Sequence, residues 1–232
     1  MAPTFSIVVP VYNEGTFLPK AMPALIAEIE QLSVPYRLMI VENGSTDGTA
    51  EIARSLIGPA PVSVVSLSEP DYGAAMRHGF LAAEGDWIVN FDIDYFSADF
   101  LRRVLATSGA DLVIGSKRDP NSDDRRPAIR RLATRVFNIL LRTILGSRVS
   151  DTHGMKAFSS DLVKKITPQV RSTQDLFDTE LVIRAERAGY TITEVPVVVE
   201  EIRTAKSSLV KRVPRTIHGL WRIRRMLSDE TT

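Results

Sequence analysis

An alternation of short apolar runs with longer helical patterns over the first half of the chain most constrains the fold. The first run, Phe5–Val11, is rich in β-branched residues and has the length of a buried strand. Similar runs predict strands at residues 36–41, 62–67, 87–91 and 111–115. The intervening patterns predict helices at residues 15–32, 48–58, 73–84 and 98–108. Such alternation is typical of an α/β protein with a Rossmann-like, mostly parallel sheet and helices on both faces.

Clusters of polar residues follow four of these predicted strands. They are residues 12–14 (YNE), 42–45 (ENGS), 92–94 (DID) and 116–118 (SKR). In open α/β sheets, ligands bind beyond the carboxyl ends of the strands. The sequence therefore predicts a ligand site at this edge of the sheet.

Composition and missing motifs exclude several classes of protein. The chain has no cysteine, which rules out disulfide scaffolds, thiolate zinc sites and cysteine nucleophiles. No apolar run approaches the ~18 residues of a membrane-spanning helix, and the first residues lack the pattern of a signal peptide. A glycine-rich dinucleotide motif and a P-loop are also missing. We therefore expect a soluble, cytoplasmic protein that is neither a dinucleotide dehydrogenase nor a P-loop NTPase.

The net charge of +1 conceals a strong segregation of charge. Residues 125–148 contain seven arginines and no acid, and residues 202–228 contain eight basic residues and no acid. These two windows hold 15 of the 29 basic residues, so the rest of the chain carries 14 basic residues against 28 acidic ones. The segregation indicates an anionic partner, which could be a phosphorylated ligand, an anionic membrane or nucleic acid.

Both basic windows have the pattern of amphipathic helices. Apolar side chains recur at helical spacing between residues 129 and 144, with arginines on another face. In the C-terminal window the apolar face includes Ile217, Leu220 and Trp221. We expect a folded domain over residues 1–200 and a basic amphipathic tail over residues 201–232. The tail either inserts these apolar side chains into a membrane interface or packs on the domain.

Asp92 and Asp94 follow an apolar strand directly, separated by one residue. Two carboxylates at such a position suit a divalent cation that neutralises a diphosphate. The pattern alone is common in acidic turns, and it gains weight from the other polar clusters at the same sheet edge.

Four motifs in the first 95 residues resemble the family 2 inverting glycosyltransferases, which have the GT-A fold. They are residues 9–14 (VPVYNE), residues 42–49 (ENGSTDGT), residues 73–79 (GAAMRHG) with Gly85 and Asp86, and the acidic motif at residues 92–94. The resemblance implies a nucleotide-diphosphate sugar as donor and Mg²⁺ or Mn²⁺ as cofactor.

The second half is similar to polyprenyl-phosphate sugar synthases, especially dolichyl-phosphate glucosyl- and mannosyltransferases. The matching segments are residues 151–158 (DTHGMKAF), a predicted helix that begins at residue 177 with FDTEL, and a predicted strand over residues 191–199. Lys206 stands where those enzymes have a Gly-Ser-Lys element. Differences within these motifs leave the sugar and the acceptor open.

The resemblance implies roles for individual residues. The donor nucleoside is assigned to Pro10, Tyr12, Glu14 and Glu42, while Asn43 and Ser45 shape the adjoining turn and are further candidates for contact with the donor. Asp92 and Asp94 are expected to hold the metal. The phosphates are assigned to Lys117, Arg131, Lys156 and Lys206, with Arg135 as a further candidate. Asp178 is the expected general base if the acceptor is a hydroxyl.

The sequence thus predicts an inverting, metal-dependent transfer of a sugar to a polyprenyl-phosphate-like lipid, with a peripheral contact at the inner face of the cell membrane and no nucleic-acid partner. GDP-mannose and UDP-glucose are the types of donor expected. Two alternatives remain open. One is a soluble family 2 enzyme acting on a hydroxyl of a sugar or small molecule. The other is a non-enzymatic nucleic-acid-binding protein, which would leave Asp92 and Asp94 unexplained.

Overall fold

A computed structural model of the chain describes residues 2–58, 60–200 and 209–230. The strands in this part of the chain are β1 (Phe5–Val11), β2 (Tyr36–Asn43), β3 (Val62–Leu67), β4 (Trp87–Asn90), β5 (Leu112–Ser116), β6 (Asp123–Asp124), β7 (Lys156–Ser159), β8 (Ile192–Pro196) and β9 (Val198–Val199). The α-helices are α1 (Leu18–Glu30), α2 (Thr49–Ser55), α3 (Tyr72–Ala82), α4 (Ala98–Ala106), α5 (Ala128–Leu140), α6 (Ser160–Ile166), α7 (Phe177–Arg187) and α8 (Leu209–Asp229). The order of strands and helices predicted for the first 115 residues is confirmed.

Within the described residues, seven strands form one sheet in the order β3-β2-β1-β4-β7-β5-β8. All neighbours are parallel except β7, which runs antiparallel between β4 and β5. The predicted mostly parallel sheet is therefore confirmed. The strand β7 was not predicted, because its four residues begin with a lysine and show no clear alternation.

The sheet is apolar on both faces, as a covered parallel sheet requires. Ile7 and Val9 of β1 belong to the core that packs against α1 and α4. Val8 points to the other face and belongs to the core formed with α3, α6 and α7. This sandwich fixes the carboxyl ends of β1, β2 and β4 at one edge.

Gly79 brings α3 into close contact with the sheet. A Cβ atom at this position would lie 2.5 Å from Val8 Cγ1 and 3.0 Å from Val41 Cγ2, both in buried strands. We expect Gly79→Ala to destabilise the fold by about 1–3 kcal/mol, since overpacking outweighs the gain in helix propensity. Urea unfolding measures the change. Gly58→Ala is the control, because its Cβ would meet no atom within 4 Å, and equal losses in both variants would contradict the prediction.

The helix predicted between residues 129 and 144 is present as α5, which continues into the π-helical segment Leu141–Leu145. Its apolar side is not buried along its whole length. Ile129 is 62% exposed, whereas Leu141 and Ile144 are buried. The apolar contacts with the domain are made by the C-terminal end of α5 and by the π-helical segment, where α8 packs.

The described part of the predicted tail, α8, packs on the domain. Leu220, Ile223 and Leu227 are buried against the π-helical segment, and Arg184 binds Glu230 with Nη1–Oε2 and Nη2–Oε1 distances of 2.6 and 3.0 Å. The expectation that Leu220 inserts into a membrane is wrong, because its side chain is fully buried in the protein. Trp221 points outward and is 54% exposed. Among the described residues, no helix combines the length and hydrophobicity that crossing a bilayer requires.

Deletion of the chain after Val213 is expected to lower the free energy of unfolding by several kcal/mol. Each of the three buried aliphatic side chains of α8 contributes roughly 1.5–3 kcal/mol of burial. Thermal unfolding and binding of a hydrophobic dye measure the loss. Trp221→Ala serves as the control, since it removes an exposed side chain from the same helix. An unchanged melting temperature in the truncated chain would contradict the packing.

Candidate active site

The carboxyl ends of β1, β2 and β4 enclose a cleft of about 180 Å³. It is lined by Pro10, Val11, Tyr12, Glu14, Asn43, Tyr72, Asp92, Ile93 and Asp94. Three of the four polar clusters predicted from the sequence therefore meet at one edge. The fourth cluster, residues 116–118, lies beyond the antiparallel strand β7 and borders a second cavity.

Two predicted donor ligands hold the loops of the cleft in place. Glu42 is buried, and its Oε1 accepts a hydrogen bond from the backbone N–H of Ser45 at 2.6 Å. Ser45 Oγ in turn accepts one from the N–H of Asn13 at 3.0 Å, and this links the ends of β1 and β2. Neither side chain lines the cleft. Their contacts position the loops, and a direct contact with the nucleotide stays a prediction.

Asp92 and Asp94 reach the cleft through a tight turn, in which the N–H of Tyr95 donates to the carbonyl of Asp92 at 3.0 Å. The pKa of Asp92 is raised to about 6, chiefly by burial and also by the neighbouring carboxylates Asp178 and Asp94, against the opposing effect of Lys156. Such a carboxylate gains from a nearby cation. The described residues contain no group of three or more acidic or histidine side chains that could hold a metal. A divalent cation would fit here only if oxygen atoms of the donor's diphosphate supplied the ligands that the two carboxylates do not.

A row of polar side chains begins with Tyr72 in the wall of the cleft and continues inward to the buried Asp178 and Lys156. The Tyr72 hydroxyl donates to Asp178 Oδ2 at 2.8 Å, and Lys156 Nζ is 3.6 Å from the same oxygen. Lys156 is fully buried and also donates to the carbonyl of Gly154 at 2.6 Å. Burial, followed by Asp178 and Asp92, raises the pKa of Tyr72 well above its usual range, so Tyr72 remains a donor.

This arrangement bears on Asp178 and Lys156, whose roles as general base and phosphate ligand stay predictions. Neither lines the cleft or the second cavity, and Tyr72 stands between Asp178 and the cleft. Asp178 Oδ1 is buried without a hydrogen-bond partner among the described residues. Tyr72 was not among the site residues predicted from the sequence. The available signal was its position after Asp71, which caps α3 beyond the carboxyl end of β3.

The second cavity has a volume of about 400 Å³ and lies between α5 and the loop after β5. It is lined by Lys117, Arg118, Ser122, Asp123, Asp124, Arg131, Thr134 and Arg135. The two carboxylates are paired with arginines outside this lining, at 2.7 Å in each pair (Asp123 with Arg125, Asp124 with Arg126). The three arginines of the wall, Arg118, Arg131 and Arg135, therefore give the cavity a positive character suited to an anionic group.

Lys117 connects the cavity to the cleft. Its Nζ is 3.0 Å from Asp151 Oδ2 and 5.7 Å from the ring centre of Tyr95, which follows Asp94. The ammonium is thus already paired on one side. Gly154 has a φ of +112°, and a Cβ there would come within 2.6 Å of Lys117 Nζ. The glycine in the motif at residues 151–158 therefore leaves the space that Lys117 occupies. Lys206 lies outside the described residues.

Comparison with known proteins decides the family. The profile of the glycosyl transferase family 2 matches residues 6–167. The chain belongs to this family. The alternative of a non-enzymatic nucleic-acid-binding protein is therefore wrong, because family 2 members are glycosyltransferases.

Relatives and solved structures agree with this assignment. The present chain is 29% identical to glycosyltransferase AglD of Haloferax volcanii. The match covers 90% of the present chain but only about a third (35%) of AglD. The chain is also 30% identical to the polyprenol monophosphomannose synthase of Mycolicibacterium smegmatis, over 84% of this chain and 77% of that one. Its fold matches glucosyl-3-phosphoglycerate synthase of Mycobacterium tuberculosis, solved with Mn²⁺, UDP-glucose and phosphoglyceric acid, with a TM-score of 0.70 at 23% identity, over 96% of this chain and 79% of that one.

The raised pKa of Asp92 predicts a pH-dependent effect of Asp92→Asn on the glycosyltransferase. Between about pH 4 and pH 6 the folded chain keeps a proton that the unfolded chain has lost, so stability falls as pH rises through this range. Above it, the charge on this carboxylate costs on the order of 3 kcal/mol. We expect the variant to melt higher than the parent at neutral pH in EDTA, to match it near pH 4, and to be severely impaired in transfer. Equal melting shifts at both pH values would contradict this.

Proposed function

We propose that this glycosyltransferase moves a sugar from a nucleotide-diphosphate sugar to a polyprenyl-phosphate-like lipid, with inversion at the anomeric carbon. The observation that carries the proposal is the cavity lined by Lys117, Arg118, Arg131 and Arg135 beside the cleft of Asp92 and Asp94. A cleft with two carboxylates suits a metal-bound diphosphate, and an adjoining cationic cavity suits a second phosphate. The polyprenol monophosphomannose synthase among the relatives, whose name specifies a polyprenyl phosphate product, supports the same acceptor.

In this mechanism Asp94, with Asp92, would hold Mg²⁺ or Mn²⁺ against the donor diphosphate. The cation would supply counter-charge to the leaving nucleoside diphosphate. Pro10, Tyr12, Glu14 and Asn43 line the part of the cleft that would receive the nucleotide. Their positions at strand ends are rigid, which preorganises the donor.

Arg131 and Arg135 would hold the acceptor phosphate, whose oxygen attacks the anomeric carbon as the bond to the diphosphate breaks. A phosphate is already anionic near neutral pH, so this reaction needs no general base. The placement of Asp178 supports this choice. Its carboxylate is engaged by Tyr72 and faces Lys156, which leaves it poorly placed to take a proton from a hydroxyl acceptor.

The direct test is a donor and acceptor panel. The purified full chain is assayed with UDP- and GDP-sugars, Mn²⁺ and either a polyprenyl phosphate, the corresponding polyprenol or a small phosphate such as phosphoglycerate. We expect transfer to the polyprenyl phosphate with one donor of the GDP-mannose or UDP-glucose type. Transfer to the polyprenol at an equal rate would overturn the phosphate acceptor, and transfer only to the small phosphate would overturn the lipid.

We further propose that the enzyme acts at the inner face of the cell membrane as a peripheral protein. The lipid nature of the proposed acceptor supports this location. Fractionation of cells into membrane and soluble parts, with a salt wash of the membranes, tests it. A protein found entirely in the soluble fraction at low salt would contradict the proposal.

A further inference from the structure

One side of α5 carries a stripe of exposed aliphatic side chains, here called the α5 stripe. It consists of Ile129, Leu132, Val136 and Ile139, which are 62%, 54%, 47% and 60% exposed. Their spacing of three, four and three residues places them on one face of the helix. Four large aliphatic side chains in a row are more than the scattered apolar residues of an ordinary surface, and they indicate a surface that binds a partner.

The same helix carries its cations beside the stripe. Arg131 and Arg135 directly precede the stripe residues Leu132 and Val136 in the chain and line the cationic cavity. Arg142, in the π-helical segment, is also exposed. Residues 125–148 contain seven arginines and no acid. An aliphatic face bordered by arginines is complementary to a bilayer with anionic headgroups, where the stems of arginine lie along the apolar boundary.

We propose that the α5 stripe docks the glycosyltransferase on an anionic lipid bilayer. The proposal rests on the proposed function for its choice of a lipid surface. It also extends that function, because one helix would then contact both the phosphate of the acceptor and the bilayer that holds its polyprenyl chain. Its arginines face the cavity assigned to the acceptor phosphate, while its stripe meets the bilayer in which the polyprenyl chain lies.

A second copy of the chain is a poorer occupant of this surface. Two α5 helices packed stripe to stripe would bring arginines of both copies together, and residues 125–148 offer no acid to neutralise them. Like charges across an interface oppose association. An anionic bilayer offers both complementary surfaces: its headgroups attract the arginines, and its apolar layer accepts the aliphatic stripe.

The stripe also assigns membrane contact to α5 rather than to α8. The apolar face of α8 is used inside the protein, where Leu220, Ile223 and Leu227 are buried. Outward on α8, Trp221 is stacked near Arg224, with the guanidinium carbon 5.3 Å from the ring centre. Trp221 therefore gives a control that separates the two helices.

The test is sedimentation of the full chain with vesicles of phosphatidylcholine, with and without phosphatidylglycerol, at low and high salt. The main variant is the double substitution Ile129→Ser with Ile139→Ser, the two most exposed residues of the stripe. The matched control is Ile57→Ser with Leu81→Ser, two aliphatic side chains exposed elsewhere at 54% and 50%. Trp221→Ser is the third protein. Melting temperature, mass in solution and transfer to a short-chain, water-soluble polyprenyl phosphate are measured for each.

We expect the parent to bind phosphatidylglycerol vesicles, more weakly at high salt, since the Debye length is only about 8 Å at physiological ionic strength. The stripe variant should lose at least about tenfold in vesicle affinity, while both controls keep it. Its melting temperature and its transfer to the short-chain acceptor should stay unchanged. Failure of every protein to use that acceptor, with vesicle binding intact, would overturn the proposed function and leave the docking surface standing.

Four other results would overturn the docking proposal. The first is a parent chain that ignores anionic vesicles at low salt. The second is loss of binding in Trp221→Ser but not in the stripe variant, which would move the contact to α8. The third is a parent dimer that the stripe variant dissociates, which would make the stripe an interface between copies. The fourth is a lower melting temperature of the stripe variant, which would mean that the chain itself covers the stripe.

Discussion

Asp94→Ala is expected to lower the rate of sugar transfer by about 1,000-fold or more. The diphosphate of the donor would lose the carboxylate that holds its counter-cation, and metal ions contribute several kcal/mol of charge stabilisation in such reactions. The same loss should appear when the parent enzyme is assayed in EDTA. Donor binding, measured by calorimetry, should lose its dependence on Mn²⁺ in the variant.

Asp99→Asn is the matched control for this substitution. Asp99 is another acidic residue close in sequence, but it is 56% exposed at its side chain and forms a surface ion pair with Arg103. Its transfer rate should stay within about twofold of the parent, since exposed pairs contribute little. Equal activity of the parent in EDTA and in Mn²⁺ would contradict the assignment of Asp94.

Arg131→Ala is expected to lower kcat/KM for a polyprenyl phosphate by about 30- to 100-fold, while the KM for the donor changes little. A charge-assisted hydrogen bond to a phosphate is worth roughly 2–3 kcal/mol, and Arg131 lines the cavity assigned to the acceptor. Arg131→Lys should recover only part of the loss, because an ammonium cannot offer two parallel donors.

A second arginine of the same helical stretch tests whether this effect is local. Arg142 is exposed and does not line the cavity, so Arg142→Ala should leave transfer to a short-chain acceptor unchanged. Donor hydrolysis is measured beside transfer in each protein. A parallel fall of hydrolysis and transfer in Arg131→Ala would place this residue in the donor site or in folding.

The sequence by itself determined the first part of the sheet and the edge that carries the site. The strand Phe5–Val11 is a mostly apolar, β-branched run, and Val62–Leu67 is a shorter run rich in valine. The helices predicted between successive runs indicate that their strands pair in parallel. Polar clusters at the carboxyl ends then meet in space without further information, as Tyr12, Asn43 and Asp92 do in the cleft. The motifs also sufficed to identify the family.

Tertiary contacts decided the features that the sequence left open. The amphipathic patterns of α5 and α8 are similar, yet Leu220 is fully buried and Leu132 is exposed. The apolar face of α8 packs against the π-helical segment, whereas among the described residues no element buries Leu132 in the same way. Likewise, the roles of Lys156 and Asp178 depend on burial and on Tyr72, which comes from a segment more than 80 residues away in the chain. Periodicity states which side chains share a face, but only packing decides what covers that face.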